Sequence, residues 1–224
     1  MRGAGLDFAA GFMQASDPDR AQPGNLRMPL ARLGQTLLYF AHIPKTGGTS
    51  VETYLRAKGQ VALHHNKPGE WLKCSPQHMQ AALVTAFFPP GFCDHSFTVL
   101  RDPVARLKSE YRHRIGRAAA RGRQIAPFDA WAPRVLGLAL KNPYVLDNHL
   151  RPQAEFVTPQ MRLFRLEDGL DPVYDWIDTL SVDPAPAPRD WKRNLTHIDV
   201  SMSDETEALV REFYAADYDL LATL

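Results

Sequence analysis

The sequence predicts an α/β fold in which a parallel sheet is covered by helices on both faces. Short apolar runs typical of buried strands recur along the chain, and segments with helical spacing follow them. The chain has 224 residues, of which 45% are hydrophobic and 23% charged, so one domain with a sizeable core is expected. In sheets of this kind, ligands bind beyond the carboxyl ends of the strands.

The N-terminal part predicts an arm, a strand and a helix. Residues 1–33 are rich in Gly, Ala, Pro and Asp without periodicity, which indicates a loosely ordered arm before a single domain at 34–224. The apolar run TLLYFAHI (36–43) predicts a buried strand. The segment TSVETYLRAKG that follows predicts a helix that ends at Gly59.

The next elements are a short strand, a helix and a second strong strand. QVALHH (60–65) predicts the short strand, and SPQHMQAALVTAFF (75–88) a helix with Ser75 as N-cap and Pro76 in its first turn. HSFTVL (95–100) predicts the strong strand.

The remaining segments are mainly helical. RDPVARLKSEYRHRIG predicts a helix capped by Asp102, and residues 127–157 predict helices interrupted by prolines. Further elements are predicted at 161–169 (a strand), 171–180 (a helix) and 203–221 (a helix with a capping box at Ser203).

Composition excludes several classes of function. The net charge of +1 gives no indication of nucleic-acid or anionic-membrane binding, and no apolar run is long enough for a membrane span or signal peptide. Cys74 and Cys93 have no metal-site spacing and are predicted to be reduced thiols, so we expect a soluble cytoplasmic protein. The arginine-rich run 112–123 indicates either a solvated helix end or an electropositive rim for an anion.

The stretch HIPKTGGTS (42–50) joins the first strong strand to a helix and predicts an anion site. Backbone N–H groups and the helix dipole point toward such a loop, and glycines let the backbone approach phosphate oxygens. The candidate residues are Lys45, Thr46, Gly47, Gly48, Thr49 and Ser50. The order GxxxxGK[ST] of a nucleotide-binding P-loop is absent, because the lysine precedes the glycines.

A second anion site is predicted where the other strong strand ends. Arg101 follows this strand directly, and a guanidinium there can bind a phosphate in a forked geometry. Ser109 lies about two helical turns later, where it can share that phosphate with Arg101.

IPKTGGTS and VLRDPVARLKSEY resemble the two phosphate-binding elements of the sulfotransferases that use 3′-phosphoadenosine 5′-phosphosulfate (PAPS). The closer resemblance is to the carbohydrate-type branch with its soluble bacterial relatives, and it covers about residues 36–220. It implies a P-loop-like three-layer fold with a central parallel sheet flanked by helices. It also implies PAPS as co-substrate without a required metal, and a hydroxyl acceptor on a saccharide or glycolipid.

The resemblance implies roles for the candidate residues. Lys45 would stabilise the oxygen that leaves sulfur, residues 46–50 would hold the 5′-phosphate, and Arg101 with Ser109 would hold the 3′-phosphate. The alternatives are a nucleotide-dependent small-molecule kinase, disfavoured by the missing P-loop order, and a non-catalytic nucleotide-binding module.

A general base is expected among the eight histidines. His78 is the first candidate, since it precedes Arg101 at a distance similar to that of the catalytic histidine in the carbohydrate branch. His149 is the second candidate and His65 the third. His42 is expected to pack beside the loop, and Glu110 to make a surface ion pair.

The acceptor pocket is expected within 64–75 and 113–157. Aromatic residues there can stack on sugar rings, although core positions are the commoner role for such residues: Trp71, Phe128, Trp131 and Tyr144. The arginines from Arg112 to Arg123 can meet an anionic acceptor.

Overall fold

A computed structural model of the chain describes residues 30–62, 72–181, 187, 189 and 198–224. Its centre is a single five-stranded sheet. The strands are β1 (Leu30–Leu33), β2 (Thr36–Ala41), β3 (Gln60–Ala62), β4 (His95–Leu100) and β5 (Arg162–Arg165), in the spatial order β3-β1-β2-β4-β5. The predicted strands that begin near residues 36, 60, 95 and 161 are confirmed.

The sheet is mixed, with a parallel core and an antiparallel extension. β2 pairs with β4 and β4 with β5 in parallel, whereas β1 pairs antiparallel with both β2 and β3. The predicted α/β class is therefore confirmed, and β1 and β3 add antiparallel strands to the predicted parallel sheet. Residues 30–33, which the sequence placed in the arm, lie in the sheet because Leu30, Ala31 and Leu33 are buried there. Residues 1–29 lie outside the described residues.

Seven α-helices accompany the sheet in the described part of the chain. They are α1 (Gly48–Lys58), α2 (Ala81–Phe87), α3 (Pro103–Ala119), α4 (Phe128–Lys141), α5 (Asp171–Leu180), α6 (Asp204–Phe213) and α7 (Ala215–Leu221). Short 3₁₀ turns cover Pro76–His78, Gln153–Phe156 and Leu166–Asp168. None of the described helices combines the length and apolar character that crossing a membrane requires.

Three predicted helical segments differ from the structure. The segment 75–88 is a 3₁₀ turn followed by α2, because Ser75 directs its hydroxyl to a distant carboxylate instead of capping a helix. The segment 203–221 is broken at Tyr214 into α6 and α7. In 127–157, α4 continues through Pro133, and turns replace helix after residue 141.

Two hydrophobic layers cover the sheet, and a third hydrophobic cluster lies among helices. One face packs against α1 and α5, where the largest buried side chains are Tyr54 and Tyr174. The other face packs against α2 and the segment that contains Cys74 and Met79. The helical cluster joins α3, α4 and α6. Cys74 and Cys93 are free thiols, as the sequence predicts.

The parallel core brings the two predicted anion sites to one edge of the sheet. Ala41 at the end of β2 pairs in register with Thr98 of β4, and the Thr98 hydroxyl donates to the Ala41 carbonyl at 2.7 Å. The residues after β2 and after β4 therefore leave the sheet side by side. α3 begins at this edge, where the Asp102 carboxylate caps it by accepting the Ala105 N–H at 2.7 Å, as predicted.

A buried arginine fastens this edge to the rest of the chain. Arg106 is 2% exposed, and its Nε donates to the Pro44 carbonyl at 3.0 Å. Its Nη2 donates to the carbonyls of His149 (3.0 Å) and Arg151 (2.9 Å), while Nη1 lies 3.9 Å from the Asp217 carboxylate. A buried guanidinium requires such acceptors, so this side chain fixes the relative positions of three distant segments.

Replacing Arg106 is expected to destabilise the fold strongly. In Arg106→Met the three carbonyls lose their donor and Asp217 loses its counter-charge, at a cost of about 3–5 kcal/mol in the free energy of unfolding. Urea denaturation followed by circular dichroism measures this change.

Arg117→Met is the matched control, because Arg117 is an exposed arginine of the same helix. Its free energy of unfolding is expected to stay within about 0.5 kcal/mol of the wild-type value. Similar losses in both variants would contradict the anchoring role of Arg106.

Candidate active site

The loop after β2 presents several backbone N–H groups with no protein partner. The N–H groups of residues 45–49 donate to no other described residue, whereas the Ser50 N–H donates to the Gly47 carbonyl at 3.0 Å. Lys45 and Gly47 both have positive φ (71° and 86°), which curls the loop. Consecutive free N–H groups before a helix form a concave anion-binding surface.

Most of the hydroxyl groups in the loop remain available, but one is committed. The buried Thr46 hydroxyl donates to the Ile43 carbonyl at 2.9 Å, so it holds the loop together. Thr49 is exposed and Ser50 half-buried at the start of α1, and neither hydroxyl bonds to another described residue. Thr46 can therefore offer its N–H to a ligand, while Thr49 and Ser50 can offer hydroxyls.

His42 packs beside the loop, as the sequence predicts, and leaves no room for a side chain at position 48. A Cβ atom on Gly48 would lie 2.2 Å from the imidazole Cδ2 of His42. The imidazole Nδ1 is held 2.5 Å from the Glu52 carboxylate of α1, and Gln77 donates to the same carboxylate at 3.1 Å. Gly48 is thus required by packing, and Gly47 by its left-handed backbone.

Arg101 lies against the loop at the end of β4. Its Nη1 donates to the Lys45 carbonyl at 3.1 Å, so the two predicted cations are brought together. The buried Gln153 side chain bonds both main-chain groups of Arg101, accepting from its N–H at 3.0 Å and donating to its carbonyl at 2.7 Å. Ser109 is half-buried on α3 and makes no hydrogen bond to Arg101 or any other described residue, so their shared grip on a phosphate stays a prediction.

His78 is paired with Asp147, a residue that the sequence analysis did not select. The His78 side chain is 3% exposed, and its Nδ1 lies 2.8 Å from the Asp147 carboxylate. Ser75 donates to this carboxylate from its N–H (2.6 Å) and its hydroxyl (2.8 Å). Burial lowers the pKa of His78 to about 3, despite the hydrogen bond to Asp147. His78 is therefore neutral near pH 7, with its proton on Nδ1 and a free lone pair on Nε2.

The Asp147 carboxylate remains ionised. Burial by itself raises the pKa of Asp147, but the hydrogen bonds that the carboxylate accepts from His78 and Ser75 hold this pKa below its usual range. An ionised Asp147 accepts a hydrogen bond from the Nδ1–H group of His78 and so fixes the tautomer of that ring.

His149 forms a second pair of the same kind with Glu110. Its Nδ1 lies 2.7 Å from Glu110 Oε2, and the Arg114 Nε donates to the other oxygen of that carboxylate at 2.5 Å. The expectation that Glu110 makes a surface pair is wrong: the residue is fully buried, because His149 and its neighbours cover α3 there. Burial raises the pKa of Glu110, but His149 and Arg114 outweigh burial and lower it to about 2.

The two histidines lie together. Their ring centroids are 5.0 Å apart at an interplanar angle of 85°. The His149 side chain is 16% exposed, compared with 3% for His78, so His149 is the more accessible of the two. Burial lowers the pKa of His149, and the positive charges of Arg114 and Lys45 lower it further, against the carboxylate of Glu110. His65 lies outside the described residues.

Lys45 lies within electrostatic range of this pair. Burial lowers the pKa of Lys45, and repulsion from Arg101 and Arg114 adds to this effect, while Glu110 opposes it. The loop, Arg101 and the His149–Glu110 pair therefore belong to one site, in which a cation and a neutral imidazole lie near the free N–H groups of the loop.

Some of the aromatic residues that the sequence suggested for the acceptor pocket have other roles in the structure. Phe128 and Trp131 are buried in the helical core against Tyr111, which is the commoner role for such residues, so they are not available to stack on sugars. The Tyr144 ring is covered by the Arg151 guanidinium, at 4.9 Å from the ring centroid. Trp71 lies outside the described residues.

The arginine run after residue 111 divides into two groups. Arg112 and Arg114 bond to the protein, through the Ile198 carbonyl and Glu110 respectively. The side chains at the end of α3 and in the following turn are exposed: Arg117, Arg121 and Arg123. The second group is available to an anionic ligand.

A family model described as the sulfotransferase family matches residues 33–222. The chain belongs to the sulfotransferase family. The match spans most of the 224 residues and includes the loops after β2 and β4 and the two histidine pairs. The protein is accordingly a sulfotransferase, an enzyme of sulfuryl transfer, and this family generally uses PAPS as the donor. Comparisons with curated proteins and with solved structures give no match.

Sequence reasoning missed three residues of this sulfotransferase: Arg106, Asp147 and, as a site residue, Glu110. Each acts through a partner 39 or more positions away, so no local spacing indicates the pairing. Asp147 was detectable only as an acid two residues before His149 in DNHLRPQ.

Gly48→Ala is expected to destabilise the sulfotransferase by about 1–3 kcal/mol, because the new methyl group overlaps the His42 ring. Gly116→Ala on α3 is the control, since no atom lies within 4 Å of the added Cβ. The control is expected to raise the free energy of unfolding by up to about 1 kcal/mol. Urea unfolding of both variants measures the contrast, and equal effects would refute the packing argument.

The stability of the sulfotransferase is expected to fall as the pH drops below about 6.5. His78 has a pKa of about 3 in the folded chain, so between these values the unfolded chain binds a proton that the folded chain excludes. His78 alone is expected to lower the free energy of unfolding by about 2 kcal/mol between about pH 7 and pH 5.

Urea unfolding of wild type and His78→Gln at both pH values isolates this contribution, because glutamine does not titrate. The variant is expected to lose less stability on acidification than the wild type does. An NMR titration in which the His78 ring protonates near pH 6.5 would disprove the assignment.

Proposed function

We propose that this sulfotransferase moves the sulfuryl group of PAPS to a hydroxyl group of a saccharide or glycolipid. The observation that carries the proposal is the loop of residues 45–49, whose free N–H groups lie beside Lys45 and are braced by Arg101. Together, the N–H groups, Lys45 and Arg101 supply hydrogen-bond donors and positive charge to a phosphosulfate group. No further partner is needed to supply them.

The donor occupies two anion sites in this proposal. The free N–H groups of 46–49 and the Ser50 hydroxyl bind the 5′-phosphate, and Arg101 with Ser109 binds the 3′-phosphate. The available Ser109 hydroxyl and the partly covered Arg101 guanidinium support the second assignment. Burial lowers the pKa of Arg101, which indicates a partly dehydrated guanidinium that gains from a buried anion.

Lys45 stabilises the leaving group. As the acceptor oxygen bonds to sulfur, the bond between sulfur and the 5′-phosphate oxygen breaks, and its electron pair stays on that oxygen. The Lys45 ammonium, half-buried among other cations, can meet this growing charge in a site that excludes much of the water. The protein thus supplies the positive charge itself, and the proposed reaction requires no metal.

A histidine accepts the proton of the acceptor hydroxyl. We favour His149 over His78, because the His149 ring is the more exposed and lies within electrostatic range of Lys45. The Glu110 carboxylate holds the Nδ1 proton of His149, which leaves Nε2 free to act as the base. In this scheme the His78–Asp147 pair packs against the His149 ring and positions it.

The exposed arginines of the second group (Arg117, Arg121 and Arg123) favour an acceptor that is itself anionic. They follow α3 away from Glu110 and carry no described partner. An acidic saccharide or an anionic glycolipid headgroup fits this surface better than a neutral sugar.

The test combines nucleotide binding with transfer. Calorimetry is expected to show that 3′,5′-bisphosphoadenosine binds without magnesium and more tightly than ATP with magnesium. In assays of labelled sulfate transfer to a panel of acidic and neutral glycans, glycolipids and phenols, Lys45→Ala and His149→Ala are each expected to lose roughly 100- to 1000-fold in turnover.

Lys141→Ala is the control, because Lys141 is an exposed lysine at the end of α4. It is expected to keep wild-type binding and turnover. Tighter binding of ATP with magnesium, or full turnover in Lys45→Ala, would refute the proposal.

A further inference from the structure

Three side chains of the two histidine pairs converge closely enough to hold a metal ion. One ring nitrogen of His78, one of His149 and a carboxylate oxygen of Asp147 all lie within 4.8 Å of one another. We propose that these residues bind a divalent transition-metal ion, with Zn²⁺ as the best match, and that the ion blocks sulfuryl transfer. Only the second half of this inference rests on the proposed function.

The donor set selects the class of metal. Two imidazole nitrogens and one carboxylate oxygen suit Zn²⁺, whereas Mg²⁺ and Ca²⁺ prefer oxygen ligands throughout. Zn²⁺ sites with three protein ligands leave a fourth position for water. Ligands about 2.0–2.1 Å from a tetrahedral ion lie roughly 3.4 Å apart, so modest side-chain rotations bring the three atoms into place.

Neighbouring groups hold two of the ligands in position. Glu110 Oε2 lies 2.7 Å from His149 Nδ1, which leaves the Nε2 of that ring as the ligand atom. The Ser75 hydroxyl donates to the Asp147 carboxylate at 2.8 Å. Carboxylate–histidine pairs of this kind orient the ring and increase its basicity in metal sites.

The backbone that carries Asp147 is shaped around the cluster. Leu146, Asp147 and Asn148 all have positive φ (55°, 60° and 63°), an uncommon run for residues other than glycine. The buried Asn148 side chain fixes this run by donating to the His78 carbonyl at 2.7 Å. Asn148 directly follows Asp147 in the chain, so this hydrogen bond also holds the backbone of one ligand, Asp147, close to that of another, His78.

Charged groups of both signs lie near the cluster. The positive charges of Lys45 and Arg114 repel a bound cation, whereas the carboxylates of Glu110 and Asp147 attract it. This balance predicts weaker binding than in a closed four-ligand structural site.

Occupation of the site has a direct consequence for the proposed reaction. A metal ion on His149 Nε2 uses the lone pair that the base needs for the proton of the acceptor hydroxyl. Residues 45–49 of the anion loop are not ligands, so the nucleotide can still bind. Zn²⁺ is therefore expected to compete with the acceptor without displacing 3′,5′-bisphosphoadenosine.

Direct binding tests the site without reference to activity. Tag-free, metal-stripped, full-length protein is titrated with Zn²⁺ by calorimetry, and Co²⁺ is added separately to record its visible absorption bands. We expect one ion per chain, and at least a ten-fold weaker affinity in His149→Gln and in Asp147→Asn. Circular dichroism and the Tm of each variant establish that it is folded.

His113→Gln is the matched control. The His113 ring stacks on His149 with a centroid distance of 6.3 Å but is outside the cluster. The affinity of the His113→Gln variant for Zn²⁺ is therefore expected to stay within about two-fold of the wild-type value. Binding that survives in His149→Gln and Asp147→Asn, or that follows His64, His65 or Cys93 instead, would overturn the proposal.

The two proposals fail separately. If Zn²⁺ binds as expected while 3′,5′-bisphosphoadenosine does not bind, the metal site stands and the proposed function falls. If the bisphosphate binds and transfer occurs but no ion binds to the cluster, the proposed function stands and the metal site falls. Transfer that continues unchanged with the cluster saturated by Zn²⁺ would overturn the blocking role.

Discussion

The hydrogen bonds of Arg106 are the constraint on which the site depends. A guanidinium taken out of water has to find acceptors for its N–H groups, and Arg106 finds them in the carbonyls of Pro44, His149 and Arg151. These carbonyls belong to the loop after β2 and to the segment that carries Asp147 and His149. One buried side chain of α3 therefore sets the distance between the loop that we propose binds an anion and the imidazole that we propose takes a proton.

The same helix supplies most of the remaining geometry. Arg101 lies two residues before α3 and braces the loop through the Lys45 carbonyl, while Glu110 on α3 orients the His149 ring. A helix is stiff over this length, so these contacts keep their spacing when the surface loops move. Gln153 adds rigidity by bonding both main-chain groups of Arg101.

Local patterns in the sequence were enough to predict the class of fold and the caps at Asp102 and Ser203, because each depends on residues close together in the chain. The pairs Asp147 with His78 and Glu110 with His149 were beyond such reasoning. Their members are 69 and 39 positions apart and meet only through the tertiary fold. The same limit explains Phe128 and Trp131, whose helical spacing fits a sugar-binding surface as well as the core that they occupy.

The long sequence separations within the site also bear on how the chain folds. Three contacts of the site join residues that are 56, 62 and 69 positions apart: Lys45 with Arg101, Pro44 with Arg106, and His78 with Asp147. A chain that has folded only its first strands and helices therefore lacks all three contacts. Competence to bind a nucleotide would thus arise late, together with the global fold. A bound nucleotide would then stabilise fully folded molecules relative to partly folded ones by mass action. The amount of folded enzyme would thus depend on the concentration of the donor.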